Sequence, residues 1–262
     1  MAQITQQQLI DFINSKDGLT NATRADFKKF PNPSGSGTIS VKDFSGLDFS
    51  NLNLLSALND SNCNLRDCKF INTTMNNSNF GGTTGQNNDY TNSVFKYINA
   101  SSPYPGISGF LSRCNFTNSL FLSCNFSGNF FQSSTFINST LKDCNFSKTN
   151  FFGSAFDATC IIKDCNFNLV AFGTVANVSS EFAGTTFYNC SFIDATITAY
   201  FFNNTKFINC NFNDCRFPLL TSTQAQTATF DNCSFEQVVI GSNSSVTFNI
   251  LPNCNTRKTL FF

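Results

Sequence analysis

The sequence predicts a solenoid, a run of short equivalent units stacked on one continuous core, and three observations carry that prediction. Large apolar residues return at every fifth position over most of the chain. A small residue stands two places before nearly every one of them. The composition is lopsided, with 34 Phe against no Trp among 262 residues. Self-similarity at a short fixed period marks a repeat architecture, in which no unit can bury its own apolar face and stacked neighbours do so for it.

The period is clearest from Phe116, where positions 116, 121, 126, 131, 136, 141, 146, 151, 156 and 161 hold eight Phe, Leu141 and Ile161. One residue is inserted after Ile161, and the register resumes from Phe167 to Phe217 with nine Phe, Ile197 and a single exception, Asn177. Earlier blocks run through Phe44, Phe49 and Leu54 and through Leu65, Phe70, Met75 and Phe80; a last one holds Phe230, Phe235 and Ile240. Five matches neither the 3.6 of a helix nor the 2 of a strand. The small place is held by Cys, Ser, Thr or Val, and ten of the twelve cysteines occupy it. A polar residue lies between, as in Cys-Asn-Phe at 114–116, 124–126, 144–146, 165–167 and 210–212.

Units written small-polar-large-polar-polar over roughly residues 40 to 250 resemble the pentapeptide repeat family. The resemblance implies an all-β fold, a right-handed parallel quadrilateral β-helix with four pentapeptides to a coil and both the large and the small residue pointing inward. Coils of twenty residues, or twenty-one across the insertion, then place Phe126, Phe146, Phe167, Phe187 and Phe207 in one column and Phe131, Phe151, Phe172, Phe192 and Phe212 in the next. The other two columns are mixed, one through Phe156, Asn177 and Ile197, the other through Leu141, Ile161 and Phe182. Burying one Phe contributes about 1.5–3 kcal/mol against chain entropy, so a stack of more than about twenty holds without metal or disulfide.

Residues 1–37 fall outside the period and read as a helical cap and linker. Thr5 to Gln8 is a capping box, and Leu9, Ile10, Phe12 and Ile13 give the short helix an apolar face that ends near Ser15 to Gly18. Such a helix blunts the raw edge of a solenoid. Pro31 to Gly37 joins it to residues 38–250, the repeat domain, which has excursions near 81–109 and at 218–229; residues 251–262 are read as a tail. The excursions are either tolerated insertions or recognition loops.

Charge and chemistry exclude more than they assign. Lys plus Arg and Asp plus Glu are both 16, so the chain lacks the basic excess of a nucleic-acid binder and the acidic excess of a nucleic-acid mimic. With no His, catalytic Ser-His and Cys-His pairs and His-containing metal sites are excluded. No phosphate loop or paired acid and base is evident, so no enzyme activity, cofactor or small-molecule substrate is expected. The N-terminus lacks a signal-peptide pattern and no apolar run reaches the ~18 residues of a membrane span, which predicts cytoplasmic synthesis, free thiols and no membrane. The cysteines are expected as packing residues, with Cys124, Cys144 and Cys165 in one column that continues as Thr185 and Thr205, and Cys190 with Cys210 in another.

Apolar residues at outward places are the candidate interaction site. Phe152, Tyr188, Ile193 and Ile208 each follow a central residue, and Leu120, Phe130 and Phe201 precede one. Tyr188 and Ile208 are expected to stack, with Ile193 on the adjoining face, and Phe261 with Phe262 form a second sticky element. These features predict a non-catalytic, rigid scaffold that binds protein partners, self-association included, as a structural component of a virus particle or multi-subunit complex. The family resemblance implies an alternative, imitation of duplex DNA toward gyrase or topoisomerase, which the zero net charge disfavours; a bacterial effector or adaptor is a third reading.

Overall fold

The structure is a computed structural model that describes residues 3–16, 29–31, 36–52, 64–71, 73, 88–96, 98, 111–172, 182–197, 203–217, 226–240 and 246–261. Each of the five positions in a unit has a physical job. The large residue points inward and its carbonyl accepts the N–H three residues on, as Phe116 does from Ser119 at 3.1 Å and Phe131 from Ser134 at 3.1 Å. Such a turn needs a positive φ at its third residue, and Asn118 (φ 59°), Ser133 (φ 58°) and Asp194 (φ 57°) supply it. Asn and Asp tolerate that region better than most residues, hence the polar pair after each centre. The residue before the centre closes an Asx turn: Asn145 Oδ1 accepts from Ser147 N–H at 3.0 Å and Asn166 Oδ1 from Asn168 N–H at 2.9 Å.

The small inward residue does more than fill space. Ser154 Oγ donates to the Phe131 carbonyl at 2.6 Å, Thr149 Oγ1 to Phe126 at 3.1 Å and Thr205 Oγ1 to Phe182 at 2.8 Å, each reaching the preceding coil. A buried carbonyl thereby gains a donor, which favours Ser, Thr and Cys over Ala at this place.

Coils stack in parallel register and expose four faces. One carries a nine-stranded parallel sheet running from Lys69–Ile71 to Val246–Ile250, with Phe70, Phe95, Phe121, Leu141, Ile162, Phe187, Phe207 and Phe230 in register. The next, the Phe126 face, is joined by single bridges from Asn125 through Asn145, Asn166, Ser191, Asn211 and Ser234 to Asn255. The third holds a five-stranded sheet from Ala171–Phe172 to Leu260–Phe261. The fourth is centred on Phe116, Phe136 and Phe156, with bridges Asn115 to Thr135 to Ala155. The core they enclose is one continuous stack of buried rings. Along a column the rings lie nearly parallel, 4.5 Å and 3° for Phe136 on Phe156. Across a corner they meet edge to face, 5.4 Å and 82° for Phe126 and Phe131. Both arrangements suit the ring quadrupole.

The columns differ from the expected ones after Phe172. Phe167 stacks on Phe192 at 5.2 Å and 9°, and Phe192 on Phe212 at 4.9 Å and 3°, so the Phe126 column continues through Phe192, Phe212 and Phe235 instead of Phe187 and Phe207. Phe187 and Phe207 belong to the nine-stranded sheet, where Ile162 is the partner of Phe187. Phe172 is the partner of Ile197. The coil from Ile162 to Phe187 is therefore twenty-five residues long, one whole unit more than expected. A whole unit leaves the period intact and moves every later residue round by one face.

A second correction concerns the single inserted residue. Ile162 is fully buried and Ile161 is 54% exposed, so the insertion precedes the centre instead of following it. Cys160, buried two places before Ile162 and donating to the Phe136 carbonyl, holds the small position of that unit.

Helix α1 (Gln6–Lys16) lies over the first coil, with Leu9, Phe12 and Ile13 buried. Thr5 and Gln8 close the expected box, Thr5 N–H donating to Gln8 Oε1 at 2.8 Å and Gln8 N–H to Thr5 Oγ1 at 3.2 Å. Phe12 stacks on Phe30 at 4.1 Å, and Phe30 meets Phe44 of the first coil at 5.8 Å. Two side-chain amides serve the sheet edge: Gln3 Oε1 accepts from Lys42 and Asp43 N–H, and Gln6 both accepts from Asp48 N–H and donates to its carbonyl. At the other end Leu260–Phe261 pairs in parallel with Val239–Ile240, so sheet pairing runs on into the residues read as a tail. The Gly-rich and Pro-rich stretches 81–87 and 101–108, Asn177, residues 218–225, Cys63 and Phe262 lie outside the described residues, and Gln226 to Thr229 are strand.

Candidate functional site

The nine-stranded sheet presents two outward rows, one residue before and one after each centre. The row before reads Lys69, Val94, Leu120, Thr140, Ile161, Thr186 and Lys206; the row after includes Lys96, Leu122, Lys142, Lys163, Tyr188 and Ile208. Val94 with Leu120 and Tyr188 with Ile208 are register partners. Tyr188 is 40% exposed, while Leu120, Leu122 and Ile208 are half-buried. Of these rows' lysines, Lys142 and Lys163 lie 3.8 and 3.9 Å from Asp143 and Asp164 at the corner, distances at which exposed pairs contribute little.

Tyr188 and Ile208 are thus neighbours. Ile193 is half-buried on the adjoining Phe126 face, its N–H donated to Asn168 Oδ1 at 2.9 Å. Phe152 is half-buried and follows Phe151 on the face opposite the nine-stranded sheet, away from the other three. Phe261 is paired in the five-stranded sheet as the partner of Ile240. Ile161 is the exposed residue that the sequence reading placed inside. The signal that finds it is Cys160, whose small side chain two places before Ile162 sets the register.

A groove of about 420 Å³ runs along the corner between the Phe126 face and the five-stranded sheet, lined by Leu169, Asp194, Asp214, Arg216, Gln237 and Val239. Asp194 and Asp214 stand on successive coils at corner positions of positive φ. Among the described residues no three His, Cys, Asp or Glu side chains are placed to hold a metal ion together, and no helix is long and apolar enough to cross a membrane.

Inside the solenoid the thiols form a pattern that the revised coil lengths reveal. Cys124, Cys144, Cys165, Cys190, Cys210, Cys233 and Cys254 occupy one column on seven successive coils, joining what the sequence reading had split between two columns. The eleven described cysteines are free. Burial pushes the thiols of Cys68 and Cys215 up to about 12 and that of Cys160 to about 11, and it raises Cys124 and Cys190 well above the ordinary thiol range. These thiols are neutral donors to carbonyls, such as Cys124 to Phe95 at 3.3 Å and Cys233 to Phe207 at 3.4 Å.

Five-residue units with the large and small residues inside, four faces and parallel coils are the pentapeptide-repeat architecture. This chain has that fold. No protein-family model matches it, and no curated protein does. Among solved structures it is similar to HetL, a pentapeptide repeat protein involved in heterocyst differentiation regulation from the cyanobacterium Nostoc, at 9% identity and TM-score 0.33 over 83% of this chain and 86% of that one. It is similar to QnrB1, a plasmid-mediated fluoroquinolone resistance protein, at 15% identity and TM-score 0.37 over 84% of each chain. The catalytic domain of Agl-KA aligns at 12% identity and TM-score 0.35 over 83% of this chain and 47% of that one. The pentapeptide fold of this chain rests on its own coils, and the roles of those proteins stay with them.

Proposed function

We propose that this chain is a rigid, non-catalytic protein-interaction scaffold, a structural component of a larger assembly such as a virus particle or multi-subunit complex. The outer surface of the nine-stranded sheet is its contact surface. The observation that supports this is the exposure of Ile161 and Tyr188 among Leu120, Leu122 and Ile208 on one flat face. An apolar patch on a sheet is favourable in water mainly when a partner covers it. Lys69, Lys96, Lys142, Lys163 and Lys206 stand in the same two rows, Lys142 and Lys163 between Leu122 and Tyr188, which suits a partner surface in which apolar and acidic groups are interspersed. Every rung between Phe95 and Phe230 is paired on both sides, so the face is presented without the ordering cost of a flexible loop.

The test replaces Ile161, Tyr188 and Ile208 together by Ser. The variant should keep its circular dichroism and lose co-purification with its partner or assembly from native material, and wild-type association should weaken as salt is raised. A folded triple variant that still co-purifies overturns the assignment of this face.

A further inference from the structure

The corner groove repeats the pattern of the nine-stranded face with the opposite charge. On the face, Leu122, Lys142, Lys163 and Tyr188 are register partners on four successive rungs, an order of apolar, basic, basic and apolar. Along the groove, Leu169, Asp194, Asp214 and Val239 stand on four successive coils, an order of apolar, acidic, acidic and apolar. Asp194 and Asp214 are exposed and have no ion-pair partner among the described residues. Leu169 is the sharper signal. Among the described residues it is the one apolar side chain held at a positive φ, 58°, a conformation that suits Gly, Asn and Asp and disfavours leucine. It is also 50% exposed, so it gains little from the core in return, and Val239 beside the same groove is 40% exposed.

Spacing lets the two patterns meet. Both advance by one coil per residue, ~4.8 Å between paired strands, so two rods lying side by side bring two carboxylates onto two ammonium groups, with apolar residues facing each other at both ends. Lys142 and Lys163 are held only weakly by Asp143 and Asp164, at 3.8 and 3.9 Å, and Arg216 of the groove offers those aspartates a cation in exchange. The groove lies at the far corner of the Phe126 face, away from the nine-stranded sheet, so one copy can use its face and its groove at the same time. A contact between unlike surfaces repeats from copy to copy instead of ending at a pair.

We propose that the occupant of the nine-stranded face is a second copy of this chain, whose groove lays Leu169, Asp194, Asp214 and Val239 along Leu122, Lys142, Lys163 and Tyr188. The inference rests on the reading of that face as the contact surface and names its partner. The charged pairs fix the register between the rods, and the apolar residues at either end lose their water.

The experiment follows the mass of the purified, full chain by sedimentation velocity over a range of protein and salt concentrations, with circular dichroism to show that each variant is folded. The wild-type chain should grow past a dimer as its concentration rises and dissociate as salt is added. Two charge reversals test the contact itself, Lys142→Asp with Lys163→Asp on the face and Asp194→Lys with Asp214→Lys in the groove. Each double variant should be monomeric by itself, because like charges then oppose each other across every contact. An equal mixture of the two should assemble again, since the acidic face of one meets the basic groove of the other. A wild-type chain that stays monomeric or stops at a dimer, double variants that still assemble by themselves, or a mixture that fails to assemble would each overturn the proposal. The reading of the face is tested separately: it survives such a failure if the Ile161, Tyr188 and Ile208 triple variant still loses its partner from native material, and it falls if that variant keeps it.

Discussion

The coils between Leu111 and Phe156 and those between Phe182 and Ile240 are built from the same unit, yet counting fives from Phe116 places only the first set on the right faces. In the first set Phe116, Phe136 and Phe156 stack at 5.1 and 4.5 Å, twenty residues apart. Between the sets the step from Phe156 to its partner Phe182 is twenty-six residues, yet the rings are still 4.6 Å apart at 13°. The core has absorbed an added unit and a single added residue without losing the stack. A solenoid of this kind selects which residue is large and which is small; it does not select how many units separate one coil from the next.

The largest effect that could break this equivalence is truncation of a central ring. Phe146→Ala in the first set and Phe187→Ala in the second should each cost about 3–5 kcal/mol in denaturant unfolding, since both rings are buried and stacked. A loss below about 1 kcal/mol in the second set would mean that its coils are packed more loosely than their ring geometry. The alkaline limb comes next. The thiols of Cys68 and Cys215 are neutral in the folded chain, raised by burial to about 12. Their stabilisation is complete below the unfolded thiol value near ~8.5 and falls by about 1.4 kcal/mol per pH unit for each thiol until the folded value is reached. Urea midpoints measured from pH 7 to 11 should fall accordingly, and Cys215→Ala should make the slope shallower; a flat profile contradicts the burial.

Smaller again is the loss of an inward hydroxyl. Ser154→Ala and Thr205→Ala leave the carbonyls of Phe131 and Phe182 without those donors and should cost about 1–2 kcal/mol each, equally in the two sets. The smallest effect belongs to Asp157, in the irregular unit before Ile162. Desolvation opposes its ionisation, but hydrogen bonds from Thr159 and from Asn138 N–H outweigh it and hold the carboxyl below its ordinary value. Its contribution is present above the unfolded carboxylate pKa of ~3.9 and is lost as pH falls through the folded value. Asp157→Asn should therefore lower stability slightly at pH 7, with the difference from wild type shrinking as pH falls below the unfolded carboxylate value.

Much of this molecule is legible in its sequence because each unit declares its own inside. The Phe positions, the small residue two before and the Thr5 to Gln8 box all lie where local chemistry puts them. What counting could not reach is non-local. Phe187 and Phe192 look alike in sequence, and only the coil that precedes them decides which face each joins. Ile161 and Ile162 are equally apolar, so large residues alone could not choose between them, although Cys160 could. The candidate surface shared this fate: Tyr188 beside Ile208 followed from a regular twenty-residue coil, whereas Ile161 depended on the placement of one inserted residue. Phe152 was grouped with the patch by type, and the quadrilateral section carries it to the opposite side.

The amides of Gln3 and Gln6, which occupy the backbone groups of the first coil, also matter for a chain still being made. A first coil in a parallel solenoid has no predecessor to pair with, and without one its edge would wait exposed for the next. Here the pairing groups arrive first, carried by α1 and its leading residues, and are at hand before the second coil leaves the ribosome. At ~5–20 residues/s a twenty-residue coil emerges in about 1–4 s, long compared with the microseconds of local ordering. Each new coil can then settle on a finished template, so the order of synthesis and the order of stacking coincide.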